Sequence, residues 1–384
     1  MIAKKVAQMP PSGIRKFFDV ANEIGDVISL GVGEPDFDTP WHVREEGIYS
    51  LEKGKTVYSA NAGLLELRQE ICRYMQRRFD LIYSPTKQCL VTVGGSEGID
   101  LAIRTLIERG EEVLIPEPSF VSYKPCVVLA GGVPVPIPTR EEDDFKLTAH
   151  ELEKAITPKT KILILPFPNN PTGAIMERED LEAIAKVLRD KNIIVVSDEI
   201  YAELTYGGEH VSIAHIEGMY ERTVILSGFS KAYSMTGWRL GYAVGPAPII
   251  SMMTKVHQFA IMCAPTTSQY AGIEAMRGGD EDVRKMREAY DQRRRVMLDG
   301  FRSMGLSCFE PKGAFYVFPC IKRTGMASEE FCEKLIMEQR VVVVPGTAFG
   351  ESGEGFVRAS YAYSIEAIKE ALARIEVFVK KHLK

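Results

Sequence analysis

The stretch SGFSKAYSMTGWRLGY, residues 227–242, decides how this chain folds and what it binds. It overlaps the end of the β-branched run TVILS (223–227), so Lys231 comes directly after a predicted strand and Arg239 follows nearby. Ligands of open α/β sheets bind beyond the carboxyl ends of the strands. A lysine held there loses hydration, which lowers its pKa and makes the amine nucleophilic towards carbonyl groups. Because arginine binds phosphate through two parallel hydrogen bonds, the stretch pairs a carbonyl-reactive amine with a phosphate-binding group.

The sequence on both sides of this stretch predicts an α/β fold with a mostly parallel sheet of seven strands. Between residues 64 and 245, short β-branched runs alternate with amphipathic stretches, as in successive strand and crossover-helix units. One helix is predicted over 64–79, where apolar residues at three- and four-residue spacing share a face. The predicted strands are CLVTV (89–93), EVLIP (112–116), VPVPI (133–137), KILILP (161–166), IIVVS (193–197), TVILS (223–227) and RLGYAVG (239–245).

The last third of the chain predicts a smaller α+β domain. A long charged amphipathic stretch at about 280–304 precedes the strands GAFYVFP and VVVVPG, and a final helix begins near Ile365. A length of 384 residues also favours two domains. We therefore predict a large domain over residues 46–280 and a small domain formed by 1–45 together with 281–384. No low-complexity linker separates the two.

Composition excludes several classes of function. The chain has 47 Lys and Arg against 52 Asp and Glu, a net charge of −5, which argues against a broad nucleic-acid or membrane surface. The basic run Arg293–Arg295 is interleaved with acids at helical spacing, which predicts a solvated helix face. No apolar run approaches the length that spans a membrane. We expect a cytoplasmic protein with no nucleic-acid or membrane partner.

The cysteines and histidines do not predict a metal site. The seven cysteines are scattered and never form C-x-x-C, which predicts buried thiols in a reducing compartment. The six histidines never form H-x-x-x-H, and His210 and His215 lie near a glycine pair that predicts a surface loop. We therefore expect no metal.

Three other segments place polar groups at the same sheet edge. Gly95 and Ser96 lie between a strand and a helix, where backbone N–H groups face any bound anion, although plain glycine turns are common there. Asp198 ends a strand three residues before Tyr201; it is either a site carboxylate or a helix cap. Asn170 lies in the turn PNNPTG (168–173), which a simple turn also explains. Together with a lysine and an arginine, this set matches pyridoxal 5′-phosphate.

The order of motifs points to one family. Seven motifs follow one another from about residue 10 to the C-terminus, and the chain resembles the class I and II aminotransferases, which are fold-type I pyridoxal-phosphate enzymes. Within that family it resembles most the aromatic and aspartate aminotransferases of archaea and bacteria. The motifs are GVGEPDFDTP, YSANAGLLELR, PNNPTGA, SDEIY, SGFSKAYSMTGWRLGY, KGAFYVFP and FVRASYA.

The resemblance implies roles around the cofactor ring. Lys231 matches the lysine that forms a Schiff base with the cofactor and then moves a proton at the substrate α-carbon. Asp198 matches the carboxylate that keeps the ring nitrogen protonated. Tyr201 and Asn170 match hydrogen-bond partners of the 3′-oxygen, and Phe120 matches the residue that stacks on the ring.

The resemblance also implies phosphate and substrate contacts. Tyr58 matches a tyrosine that each subunit lends to the phosphate of its neighbour, which implies a homodimer with shared active sites. Arg358 matches the arginine that holds the substrate α-carboxylate in a two-bond fork, with the Gly33 backbone and Asn170 close by. The residues that match phosphate-binding positions within the chain are Gly95, Ser96, Ser230 and Arg239.

The implied reaction moves an amino group from an α-amino acid, aromatic or broad in type, to a 2-oxo acid such as 2-oxoglutarate. Ser96 stands where an aspartate-selective bacterial branch carries a lysine, which argues against aspartate. Arg15 is a candidate partner for the second carboxylate of 2-oxoglutarate. An aspartate- or alanine-type aminotransferase and a C–S lyase of the same fold remain alternatives. The segment before the match is too short for the helix-turn-helix of a related ligand-sensing regulator.

Overall fold

A computed structural model describes residues 2–7, 9–10, 13 and 25–383. The β-branched runs of the sequence form strands because branched side chains pack well on a pleated sheet. The strands are β1 Ile28–Ser29, β2 Cys89–Thr92, β3 Glu112–Glu117, β4 Val133–Pro138, β5 Thr160–Leu165, β6 Ile194–Asp198, β7 Thr223–Gly228, β8 Gly241–Val244, β9 Tyr316–Val317, β10 Val341–Val342, β11 Val344–Pro345 and β12 Val357–Ser360.

The seven strands predicted from the sequence form one sheet in the order β2-β8-β7-β6-β5-β3-β4. Neighbours from β7 to β4 run parallel, whereas β8 runs antiparallel to both β2 and β7. The predicted α/β fold with a mostly parallel seven-stranded sheet is therefore confirmed. The carboxyl ends of β5, β6 and β7 meet at one edge, which is where such sheets bind ligands.

Helices cover both faces of this sheet, so its strands are buried on both sides. On β7, Val224 and Leu226 pack on one face while Ile225 packs on the other, as the two-residue period of a strand requires. The α-helices are α1 Lys4–Ala7, α2 Trp41–Glu52, α3 Leu65–Phe79, α4 Gly94–Leu106, α5 Tyr123–Ala130, α6 Ala149–Ala155, α7 Arg178–Leu188, α8 Phe229–Ala232, α9 Ala247–Ala260, α10 Thr266–Gly278, α11 Asp280–Ser303, α12 Ser328–Gln339 and α13 Ile365–His382.

The C-terminal third forms its own layer. Strands β11, β12 and β9 make an antiparallel sheet, and β1 from the N-terminal segment pairs parallel with β10. Buried side chains from α11, α12 and α13 complete one apolar core with these strands. This arrangement agrees with a small α+β unit that includes the N-terminal segment, but the boundaries at residues 46 and 280 stay a prediction.

The prediction of a solvated face at Arg293–Arg295 is wrong for two of the three arginines. Arg294 is buried and binds Asp291 at 2.8 Å and Glu310 at 3.0 Å. Arg293 binds Asp36 of the N-terminal segment at 2.7 Å, and Arg295 alone of the three is exposed. The run joins α11 to its surroundings through ion pairs, because a buried guanidinium needs a partner to offset its lost hydration.

His210 lies in a loop, as predicted, but its side chain is not at the surface. Its side chain is only 8% exposed, and Nε2 lies 2.9 Å from Glu199 Oε2. His215 is exposed, as predicted. All seven cysteines are free, four of them buried and three half-buried. Within the described ranges no three His, Cys, Asp or Glu side chains cluster to hold a metal, and no helix could cross a membrane.

Candidate active site

A cavity of about 370 Å³ opens at the carboxyl edge of the large sheet. Loops after β2, β3, β5, β6 and β7 line it, and the N-terminal segment and the C-terminal sheet close it. Of the residues predicted for the site, Tyr58 does not line the cavity, and Arg15 lies outside the described residues. The predicted residues that line it are Gly33, Gly95, Ser96, Phe120, Asn170, Asp198, Tyr201, Ser230, Lys231, Arg239 and Arg358.

Lys231 lies in the short helix α8, one turn after β7 ends. Its Nζ donates to the Gly33 carbonyl at 2.6 Å and lies 5.8 Å from the centre of the Tyr201 ring. Burial, together with the nearby Arg358 guanidinium, lowers the pKa of Lys231 to about 8. About a tenth of this amine is therefore neutral and nucleophilic at pH 7, and about half at pH 8.

Asp198, the last residue of β6, presents a buried carboxylate to the cavity. The Tyr123 hydroxyl donates to Oδ2 at 2.7 Å, and the Ile200 backbone N–H donates to Oδ1 at 3.3 Å. Burial raises the pKa of Asp198, an effect that the Tyr123 hydrogen bond partly offsets. Because no described cation forms an ion pair with it, this carboxylate suits a ligand that brings its own N–H donor.

The turn between β2 and α4 forms an anion cradle. Gly94 has φ +72°, and its carbonyl accepts from Thr92 Oγ1 at 2.9 Å. The first N–H groups of a helix have no partner inside the helix, so Gly95 and Ser96 offer donors at a positive helix end. The Arg239 side chain packs so closely on Gly94 that an added Cβ would come within 2.8 Å of Nη2. Glycine is therefore needed at 94 both for its backbone and for this approach.

Arg358, on β12, is buried at 2% exposure without a carboxylate partner in the described chain. Its Nη1 donates to Asn170 Oδ1 at 2.9 Å and its Nη2 to the Gly31 carbonyl at 2.5 Å. The guanidinium lies 4.4 Å from the centre of the Tyr316 ring and 4.8 Å from that of Phe349. Burial lowers the pKa of Arg358. A buried fork held only by neutral groups is suited to bind a carboxylate.

The family model "Aminotransferase class I and II" matches residues 25–375 of this chain. The chain belongs to this family. It is 45% identical to aromatic-amino-acid aminotransferase 2 of Thermococcus litoralis, over 99% of this chain and 98% of that protein. It is 46% identical to aspartate aminotransferase of Pyrococcus abyssi, over 97% and 96%. An aromatic aminotransferase structure from Pyrococcus horikoshii superposes with a TM-score of 0.91 at 45% identity, covering 95% of this chain and 99% of that one.

This protein is therefore a pyridoxal-phosphate-dependent aminotransferase, and its substrates are α-amino acids and 2-oxo acids. The predicted family, enzyme class and cofactor are confirmed. The residues present also fit the cofactor. Asp198 is a buried carboxylate with no ion pair in the described chain, and the β2–α4 turn is an anion cradle beside Arg239. In the same cavity, Lys231 supplies an amine with a lowered pKa.

The sequence did not single out two tyrosines of the aminotransferase site. Tyr123 holds Asp198, and Tyr316 lines the cavity with its hydroxyl 2.8 Å from that of Tyr201. Tyr316 lies inside the motif KGAFYVFP, and Tyr123 ends the segment PEPSFVSY, three residues after Phe120. Among several aromatic residues in those motifs, sequence alone does not show which rings carry a bonded hydroxyl and which only fill the core.

Tyr58 lies away from the cavity of its own chain. Its side chain is 79% exposed, beside Val57 at 74%. Thr266 Oγ1 donates to the Val57 carbonyl at 2.7 Å, and Asn61 Nδ2 donates to the Met262 carbonyl at 2.9 Å. The segment that carries Tyr58 is thus anchored on the protein, while the ring itself points outwards.

Proposed function

We propose that this aminotransferase takes amino groups from aromatic or broadly apolar α-amino acids and passes them to a 2-oxo acid such as 2-oxoglutarate, with Lys231 as the covalent anchor of its cofactor. One observation carries the proposal. A buried lysine with a pKa of about 8 lies in the same cavity as a buried carboxylate, Asp198, and an arginine fork, Arg358, that has no carboxylate partner among the described residues. These are the amine, the ring partner and the carboxylate receptor that the reaction needs.

In the proposed reaction, bound pyridoxal phosphate supplies the electron sink for the substrate α-carbon. Asp198 would hold the ring nitrogen of the cofactor and keep a proton there, and the Tyr123 hydrogen bond keeps the carboxylate in place. Tyr201 and Asn170 would donate to the 3′-oxygen, and Phe120 would stack on the ring. The Lys231 amine would take the proton from the substrate α-carbon, because its lowered pKa favours the neutral form that acts as a base.

The phosphate is assigned to the β2–α4 turn. Gly95 and Ser96 donate from the start of α4, and Arg239 lies against the same turn. Ser230, in α8 beside Lys231, completes the set. Because these groups come from loops of one rigid sheet edge, they fix the cofactor relative to Lys231.

The α-carboxylate of the substrate is assigned to Arg358. The Arg358 guanidinium now donates to Asn170 and to the Gly31 carbonyl, which are both neutral. A bound carboxylate would replace them and accept two parallel hydrogen bonds. Gly33 must stay small, because an added Cβ would lie 2.5 Å from the Tyr316 hydroxyl. The substrate is thus held with its α-carbon near Lys231.

The lining of the cavity supports apolar donors over aspartate. Its described cationic residues are Lys231, Arg239 and Arg358, and each already has a role above. Ser96 adds no charge, and Glu34 adds a carboxylate that accepts from Thr236 at 3.2 Å. No described cation is left for the side chain of aspartate. The relatives do not decide the matter, since their names include both aromatic and aspartate aminotransferases.

The second carboxylate of 2-oxoglutarate requires another partner in this scheme. We assign it to Arg15 of the N-terminal segment, on the ground of the family resemblance alone. Replacing Arg15 with alanine should raise the KM for 2-oxoglutarate and leave the KM for phenylalanine unchanged. An unaltered KM for 2-oxoglutarate would remove Arg15 from the scheme.

We further propose a homodimer in which Tyr58 reaches the phosphate of the neighbouring subunit. Several large apolar side chains near it are exposed in the single chain, and a patch of this kind normally meets a partner. These side chains are Val57, Ile261 and Met262, and the last two are close to the Tyr58 segment because Asn61 Nδ2 donates to the Met262 carbonyl. We also retain the division into residues 46–280 and 1–45 plus 281–384, and a cytoplasmic location, which the seven free cysteines support.

The donor preference is tested with one acceptor and four donors. With 2-oxoglutarate fixed, kcat/KM for phenylalanine and tyrosine should exceed that for aspartate by about thirtyfold or more, because an unpaired carboxylate in a desolvated site costs roughly 2–4 kcal/mol. Alanine serves as the control for a small uncharged side chain. A clear lead for aspartate over the aromatic donors would refute the preference.

A further inference from the structure

A buried histidine–carboxylate pair lies directly behind the phosphate-binding turn. His257, on α9, has no exposed surface, and its Nδ1 lies 2.7 Å from Glu97 Oε1. Glu97 is in the first turn of α4, next to Ser96. Neither His257 nor Glu97 lines the cavity, so neither touches the substrate or the cofactor.

The other oxygen of Glu97 closes the turn. Glu97 Oε2 accepts from the Val93 backbone N–H at 2.5 Å, across the glycines that begin the helix. This is the reciprocal half of a helix cap, in which a side chain in the first turn holds the residue before the helix. It leaves the N–H groups of Gly95 and Ser96 free to face the cavity. The position of Glu97 therefore sets the direction of those donors.

The His257 ring and backbone are both held in place. Its Nε2 is buried and has no hydrogen-bond partner in the described part of the chain, so Glu97 is the polar contact of the ring there. Its backbone carbonyl accepts from Ile261 at 2.9 Å and from Met262 at 3.1 Å, which ends helix α9. The ring is thus fixed by packing and by the helix end, and it fixes Glu97.

We propose that His257 is a positioning residue for the cofactor phosphate, acting through Glu97 on the turn that begins α4. The inference rests on the proposed placement of the phosphate at Gly95, Ser96 and Arg239. It assigns a function to a buried histidine–carboxylate pair that the reaction itself does not use. Residues that orient binding groups in this way commonly matter for affinity while making no contact of their own.

The test compares two ligands that differ only in the phosphate. The full-length protein, freed of cofactor, is titrated with pyridoxal 5′-phosphate and with pyridoxal by absorbance. His257→Leu should weaken pyridoxal phosphate about five- to tenfold, since a lost helix cap has effects of that size, and should leave pyridoxal unchanged. His257→Asn keeps an N–H near the place of Nδ1 and should restore most of the affinity. Glu97→Ala, at a partly exposed site, should reproduce the loss if His257→Leu does not fold.

Two further variants make the outcome decisive. His42→Leu is the matched control, because His42 also joins helices by binding two carboxylates, Glu274 at 2.7 Å and Asp282 at 3.0 Å, but lies outside the cavity lining. It should bind both ligands as the wild type does. Arg239→Ala should weaken pyridoxal phosphate selectively; if it does not, the phosphate placement itself fails. If Arg239→Ala does so while His257→Leu and Glu97→Ala weaken neither ligand, or weaken both equally, the positioning role alone is overturned.

Discussion

The hydroxyl of Tyr123 donates to the Asp198 carboxylate, and both side chains are buried. A hydrogen bond to a charged group is worth about 1.5–3 kcal/mol, and its loss leaves the carboxylate with one weak backbone donor. Burial already raises the pKa of Asp198, so losing Tyr123 raises it further and weakens its hold on a ring N–H.

Tyr123→Phe is therefore expected to lower kcat for transamination about tenfold or more while the fold stays intact. Tyr242→Phe is the matched control, because Tyr242 is also buried but its hydroxyl meets the Met75 sulfur, at 3.7 Å, and the Ser227 side chain rather than a carboxylate of the cavity. Steady-state rates of both variants with one donor decide the matter. Equal rates for the two variants would show that the Asp198 contact has no catalytic consequence.

The lowered pKa of Lys231 gives a pH prediction for the cofactor-free protein. The neutral amine is the nucleophile, so the rate constant for pyridoxal phosphate attachment follows the deprotonated fraction. It should rise about tenfold per pH unit below the pKa of about 8 and level off above it. Stopped-flow absorbance measures this rate. A rise that continues unchanged to pH 10 would mean that the amine keeps the pKa of an ordinary lysine.

The turn between β2 and α4 depends on Gly94 for two separate reasons, its positive φ and its contact with Arg239. Gly94→Ala should destabilise the backbone by about 1 kcal/mol and also push the arginine aside, so that cofactor affinity falls at least tenfold. Gly110→Ala isolates the backbone effect, because Gly110 has φ +87° with no neighbour within 4 Å of an added Cβ.

The two glycine variants are compared by thermal unfolding and by cofactor titration. Both should lose similar stability, and only Gly94→Ala should lose affinity for pyridoxal phosphate. If Gly94→Ala binds the cofactor as tightly as Gly110→Ala does, the contact with Arg239 is not part of the phosphate site.

Elements could be predicted from the sequence more readily than the contacts between them. Each of the seven predicted sheet strands appears with ends shifted by a few residues, because β-branched runs mark strands locally. Partners far apart in the chain leave no such mark. Arg294 looks like a solvated helix residue until Glu310 is seen beside it, and the bond between Glu97 and His257 joins residues with no common motif.

For the whole molecule, the proposed shared site can be tested by mixing subunits. Tyr58→Ala and Lys231→Ala chains are each expected to be nearly inactive, one lacking the lent tyrosine and the other the amine. A heterodimer contains one site with both residues intact, so random exchange should restore about a quarter of wild-type activity. Exchange is verified by mass spectrometry of differently tagged chains, and demonstrated exchange without recovered activity contradicts the shared site.

The sequence predicts the site within one chain better than it predicts contacts between chains or the choice of substrate. The site residues within one chain could be placed together because they follow successive strands of one sheet, and the cavity contains them. The role of Tyr58 was predicted from the family resemblance alone, because no nearby strand end places it at the site. In the single chain its ring is exposed. Substrate choice depends on which charges remain unpaired in the folded cavity, which no single motif records.

The central claim is that Lys231, in this cavity, anchors the cofactor and carries the reaction. The most direct measurement is borohydride reduction of the holoenzyme followed by peptide mapping, which makes the link between lysine and cofactor permanent. The account predicts one modified peptide, containing Lys231, and no trapped cofactor and no turnover in Lys231→Ala. A modified peptide that maps to another lysine, or unchanged turnover in Lys231→Ala, would contradict it.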